Sequence, residues 1–117
     1  MKLVKSFKYA IEGVISSFKS ERNMKIHLLI MLIVIILGFI LKINTAEWII
    51  CIVLFGLVIA GELFNTAIET TIDLITKEQN EKAKLAKDIS AGAVLILAIS
   101  SIIIGLIIFV PKILNIL

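Results

Sequence analysis

Apolar residues fill three long blocks of the chain, each flanked by charges. The first is IHLLIMLIVIILGFIL, sixteen residues from Ile26 to Leu41, with His27 near its start. The second opens at Trp48, runs uncharged to Gly61 and continues as a polar-faced helix to about Ile75. The third, ISAGAVLILAISSIIIGLIIFV, covers twenty-two residues from Ile89 to Val110 and is expected to stop at Pro111. A bilayer core of about 30 Å takes about twenty helical residues to cross. The third block meets that length alone, and the first two meet it if their polar ends extend the helix. The pattern predicts spans over 25–43, 47–75 and 87–110.

Ahead of the first block, Val4, Phe7, Ile11, Val14, Ile15 and Phe18 recur at three- and four-residue spacing. Lys5, Lys8, Glu12, Ser16 and Lys19 fall largely on the other side. This pattern predicts an amphipathic helix over 3–19 lying on the membrane surface. The alternative is a helix packed against its own bundle. The fold class is therefore all-α, one membrane domain over 1–117, with a surface helix and three transmembrane helices and no internal repeat.

Composition agrees. Hydrophobic residues make up 60% of the 117, and the mean hydropathy is +1.11. A soluble domain of this length buries only about two-thirds of its unfolded surface, which would leave much of this apolar content in water. The single cysteine, Cys51, lies in an apolar run and excludes an intramolecular disulfide. The first span has no small-residue cleavage site, so no signal peptide is expected. The net formal charge of +3 gives no basis for a nucleic-acid partner, but the distribution of cations is informative. Lys2, Lys5, Lys8, Lys19, Arg22 and Lys25 precede the first span, and Lys77, Lys82, Lys84 and Lys87 lie between the second and third. Only Lys42 and Lys112 occupy the opposite side. By the positive-inside rule the N-terminus and the 76–88 loop are cytoplasmic, and Trp48 anchors the outer interface.

This orientation locates GELFNTAIETTID, Gly61 to Asp73, toward the cytoplasmic end of the second span. From Trp48 to Glu62 is about 21 Å of helix, so Glu62 lies at the inner edge of the hydrocarbon, with Glu69 and Asp73 beyond it. At 100° per residue, with Glu62 at zero, Asn65 falls near about −60°, Thr66 near +40°, Glu69 near −20° and Asp73 near +20°. Five polar side chains thus make one stripe, which must face protein, water or a ligand rather than lipid. The stripe is mostly acceptors and carries no cation. Two other polar clusters are expected on the same side: Glu21, Asn23 and His27, and Lys87 with Asp88. Ser90, Ala91, Gly92 and Ala93 would allow a close helix approach. Two or three acidic oxygens suit Mg²⁺ shared with phosphate, with Lys87 as a fixed positive charge. Ordinary pairing of Glu62 or Glu69 with Lys87, an ion-coupled carrier and a holin-like pore are the alternatives on these residues alone. No Walker A, kinase glycine loop, GxSxG or HExxH is present.

The motif Glu62-x-x-Asn65-Thr66-Ala67-Ile68-Glu69-x-x-x-Asp73, followed by Ala86-Lys87-Asp88 and small residues, resembles the small membrane lipid kinases of bacteria, the diacylglycerol kinase and undecaprenol kinase family. The resemblance covers nearly the whole chain. It implies ATP- and Mg²⁺-dependent phosphoryl transfer to a lipid hydroxyl, in a homotrimer with sites shared between protomers, at the bacterial cell membrane. By the same resemblance Glu62 is the general base, and Glu21 and Glu69 hold the metal and contact the nucleotide. Asn65 and Ala91 meet or orient the substrate, and Tyr9, Glu78, Gln79, Asn80, Lys87 and Asp88 contact the nucleotide. The ERNMKIH run, Glu21 to His27, resembles the branch associated with undecaprenol, so a polyprenol is the expected acceptor and diacylglycerol the alternative. His27 itself is expected to be a structural hydrogen-bonding group.

Overall fold

The computed structural model describes all residues, 1–117. It consists of four helices and no strand: α1 (Lys2–Ser20), α2 (Arg22–Ile40), α3 (Thr45–Ile75) and α4 (Glu81–Ile116). Three of them, α2, α3 and α4, are long and apolar enough to cross a membrane. At 1.5 Å per residue α3 is about 46 Å long and α4 about 54 Å, so both overrun a hydrocarbon core of about 30 Å. The overrun is where the polar residues lie.

The helices form one layer rather than a closed bundle, and the molecule measures 54 × 42 × 21 Å. Central α3 packs along α4 on one side and against α2 on the other, while α2 and α4 do not pack on each other. Two ion pairs set the antiparallel register of α4 on α3: Lys87 Nζ to Asp73 Oδ1 at 2.6 Å at one end, and Lys112 Nζ to Glu47 Oε1 at 3.1 Å at the other. Between them the helices approach at Gly61, where an added Cβ would lie 2.5 Å from Leu97 Cδ1. Only 11 of 117 residues are buried, so lipid or further copies of the chain must cover the remaining apolar surface.

Each helix end has a local cause. Glu21, extended at φ −99° and ψ 120°, separates α1 from α2, and its N–H bonds Ser17 O at 2.9 Å. At the α2–α3 turn the Ile43 N–H reaches Gly38 O at 3.1 Å and the Lys42 N–H reaches Phe39 O at 3.4 Å. These are the two bonds of a Schellman motif, with Lys42 in the left-handed position at φ 53°. A capping box, in which Asn44 and Glu47 exchange side-chain-to-backbone bonds of 2.9 Å each, then starts α3. Asn80 caps α4 by accepting from the N–H groups of Lys82 and Ala83.

Two expectations change. α4 does not stop at Pro111 but continues to Ile116. A proline this close to the end removes one hydrogen bond of a ladder that is about to finish. The surface helix is covered at one end only: Ser17 is buried and Val14 and Phe18 are half-buried against the bundle, whereas Val4, Phe7, Ile11 and Ile15 are exposed. Its apolar face is thus free for a membrane surface over its first three turns, and its last turn packs on protein.

Lys42→Gly is expected to stabilise the chain by about 0.5–1 kcal/mol, because a left-handed non-glycine residue costs about 1–2 kcal/mol and glycine's extra backbone entropy returns part of it. Denaturation in micelles measures this, and an unchanged or lower stability contradicts strain at the turn.

Candidate active site

The polar stripe of α3 is buried in a gradient. Glu62 is 1% exposed and Asn65 7%, Thr66 and Glu69 are half-buried, and Asp73 is exposed. The helix places all five on one face, as their spacing requires, and α2 and α4 cover its apolar end. Along this face the acceptors outnumber the donors. The Asn65 amide donates to Glu69 Oε1 at 3.2 Å. Glu62 Oε2, Asn65 Oδ1 and Thr66 Oγ1 are buried without a hydrogen-bond partner. His27 Nε2 stands 3.4 Å from Glu62 Oε2, within ion-pair range but not aligned for a hydrogen bond. Buried unpaired acceptors are rare because each forfeits its hydration. Two acceptor oxygens and one hydroxyl in succession leave this face able to take a donor or a cation.

Two cavities adjoin this face. A groove of about 250 Å³ between α2 and α4 has Glu62 at its floor and is lined by Asn23, Ile26 and His27 from α2 and Ala91, Val94, Leu95 and Ala98 from α4. At the polar end of the molecule a larger cleft of about 590 Å³ is lined by Asp73, Lys77, Glu78, Gln79, Asn80, Lys84, Lys87 and Asp88 among others. Within it Lys87 pairs with Asp73, and Lys84 Nζ meets Asp88 Oδ2 at 2.6 Å.

The structure therefore brings most of the expected residues into two groups: Glu62 and Ala91 around the groove, and Glu78, Gln79, Asn80, Lys87 and Asp88 around the cleft. Asn65 and Glu69 are bonded to each other on the stripe that runs between the two. Two residues stay apart. Tyr9 is 63% exposed on α1 and lines neither cavity. Glu21 stands at the α1–α2 corner, where its side chain makes no capping bond. The plain structural alternative, Glu62 or Glu69 paired with Lys87, is not what forms, since Lys87 is taken by Asp73. Sequence reasoning left Asp73 without a role and did not foresee Lys84. The i,i+4 spacing of Lys84 and Asp88 could have indicated that pair. The contact of His27 with Glu62 joins two helices and has no local signal.

No three His, Cys, Asp or Glu side chains converge as a metal-ligand set within this one chain. Mg²⁺ is commonly bound through only one or two carboxylates plus phosphates and water. Glu69, beside the unpartnered Asn65 Oδ1, fits that mode.

The model of the family described as prokaryotic diacylglycerol kinase matches residues 8–109. The chain belongs to this family. Among curated family members it is 45% identical over 108 residues to the undecaprenol kinase of Bacillus subtilis, covering 92% of this chain and 88% of that protein. It is 38% identical over 108 residues to the diacylglycerol kinase of Haemophilus influenzae, covering 92% of each. It is 37% identical over 114 residues to the diacylglycerol kinase of Synechocystis, covering 97% of this chain and 65% of that protein. As a lipid kinase of this family, the chain is a multi-pass membrane protein, and the family match contains the whole stripe and both cavities.

If the unpartnered carboxylate serves function rather than packing, Glu62→Gln is expected to leave the unfolding midpoint in micelles unchanged or raised, because Oε2 makes no hydrogen bond that the amide would lose. A loss above about 1 kcal/mol, the usual result of breaking a structural contact, contradicts that.

Proposed function

We propose that this chain transfers the γ-phosphate of ATP to the hydroxyl of undecaprenol, giving undecaprenyl phosphate and ADP. The observation that carries the reading is Glu62, a buried carboxylate without a hydrogen-bond partner at the floor of a largely apolar groove. It lies on a helix face that descends to a polar cleft. The similarity to an undecaprenol kinase across most of the chain supports the acceptor. Diacylglycerol is the second acceptor, favoured by the names of the other relatives.

The roles follow depth along α3. Glu62 is nearest the hydrocarbon and meets the lipid hydroxyl, accepting its proton as the oxygen–phosphorus bond forms and the bond to the ADP oxygen breaks. Asn65 holds Glu69 through its amide, and its carbonyl oxygen is buried without a partner. From Glu62 to Asp73 is about 16 Å of helix, the stretch along which a triphosphate would lie. Lys87, with Asp88, Glu78, Gln79 and Asn80, would hold the nucleotide in the cleft, and Tyr9 would add a contact from α1. Glu69 would hold Mg²⁺, with Glu21 as a second carboxylate brought to it from the α1–α2 corner, and the bound ion would supply the charge neutralisation that phosphoryl transfer requires. Ala91 would border the acceptor.

A homotrimer with shared sites is part of the same proposal. Its support is the thin single-layer chain with few buried residues, together with the separation of Tyr9 from both cavities. The excess of lysine and arginine at the cleft end supports a cytoplasmic site in the bacterial cell membrane.

Glu62→Gln and Glu69→Gln are each expected to lower transfer of labelled phosphate from ATP to undecaprenol in micelles by about 10² or more. Near-normal turnover in either variant contradicts the assignment.

A further inference from the structure

We infer that His27 is the proton exit of the site: in each turnover it takes from Glu62 the proton that Glu62 has taken from the acceptor's hydroxyl, and passes it to water. The inference rests on the kinase reading above and adds to it the step that returns the base to its working form.

Phosphoryl transfer to an alcohol releases one proton. In the proposed reaction the alcohol oxygen bonds to phosphorus, the bond from phosphorus to the ADP oxygen breaks, and the O–H proton moves to Glu62. ADP leaves with the electron pair of the broken bond, and Glu62 is left as a neutral acid. It must lose that proton before the next hydroxyl arrives. Glu62 is 1% exposed, so it has no direct way to pass the proton to water. The burial that leaves Oε2 unpartnered thus creates the need for a second group.

His27 is the group in place. Its Nε2 lies 3.4 Å from Glu62 Oε2, and it is the one basic side chain within ion-pair distance of that carboxylate. Proton transfer needs a contact of about 2.6–3.2 Å, and such contacts are often longer in an unliganded enzyme and tighten when substrate binds. Of the residues lining the groove only His27 and Glu62 ionise, and α4 contributes alanine, valine and leucine alone. On α3, Glu69 lies about 10 Å farther along the helix and is bonded to Asn65. On α4, Lys87 is held by Asp73 and Lys84 by Asp88. On α1 the buried residue of the last turn is Ser17, while Glu12 and Lys19 are exposed, as are Arg22 and Lys25 on α2 itself.

From His27 the way out follows α2. The His27 side chain is 17% exposed against 2% for that of Glu62. Asn23, four residues nearer the polar end on the same helix face, is exposed and lines the same groove. The neutral ring takes the proton at Nε2, becomes imidazolium and releases a proton at its open edge, so Glu62 is again a carboxylate and water is the final acceptor. Histidine suits this step because an imidazole gains and loses a proton readily near neutral pH.

The test uses the full chain in micelles with labelled ATP and undecaprenol at neutral pH, and measures kcat and the KM of each substrate. His27→Gln, which keeps a polar side chain but takes no proton, is expected to lower kcat at least about tenfold with both KM values within twofold of wild type. His27→Ala is expected to lose as much, and added imidazole to restore most of it. His27 is the chain's one histidine, so imidazole has no second such site to replace. Pyrazole, a ring of the same shape and far weaker basicity, is expected to restore nothing. Glu62→Gln is expected to stay low with imidazole, because the first acceptor of the proton is then missing, and recovery there overturns the two-step order. Near-normal kcat in His27→Gln overturns the exit. Restoration of His27→Ala by pyrazole as fully as by imidazole marks a packing role and overturns it too, as does restoration by neither. A wild-type chain that phosphorylates neither undecaprenol nor diacylglycerol overturns the kinase reading, whereas an active wild type beside an equally active His27→Gln overturns the exit alone.

Discussion

The structure depends on one constraint: a carboxylate held inside a span must find a partner or lose its hydration uncompensated. Glu62 meets this constraint at the point where α2, α3 and α4 come together, with His27 within 3.4 Å and one oxygen unpartnered. Gly61, immediately before it, lets α4 close over the helix through Leu97. Glu62 therefore stays out of lipid with His27 beside it and no hydrogen bond to Oε2. Folding supplies the burial, and in the proposed reaction the missing donor is the hydroxyl of the substrate.

Further toward the polar end the same helix face behaves differently. Asp73 and Lys87 pair at 2.6 Å on a surface open to water, where an ion pair contributes little stability. Their value is in position, since the pair fixes Lys87 at the rim of the cleft and registers α4 against α3. The gradient from a sealed Glu62 to an open Asp73 joins an apolar slot to a polar cleft. A reaction that moves a charged phosphoryl group onto a lipid hydroxyl needs both environments along one line.

Much of this was legible in the sequence because it is periodic. Blocks of apolar residues locate the three spans, and rotation by 100° per residue aligns Glu62, Asn65, Thr66, Glu69 and Asp73 on one face from the sequence alone. The family resemblance named Glu62 and Ala91, which line the groove, and Asp73, Glu78, Gln79, Asn80, Lys87 and Asp88, which line the cleft. What was not legible is set by contacts between helices or by local strain. Lys87 chooses Asp73 rather than a glutamate because of how the two long helices register, fourteen residues apart through a turn. His27 reaches Glu62 only once α2 packs on α3. Lys42 occupies a left-handed position that composition would assign to glycine. α1 splits between two fates, its start open and its last turn packed, and its uniform amphipathic pattern does not reveal the division.

The central claim is that the buried carboxylate and its groove deliver phosphate to a polyprenol hydroxyl. The most direct measurement gives the wild-type chain ATP labelled at the γ-phosphate and equimolar undecaprenol and diacylglycerol in one micelle, and separates the lipid products. The account predicts label predominantly on undecaprenol. Label predominantly on diacylglycerol, or on neither lipid, contradicts it.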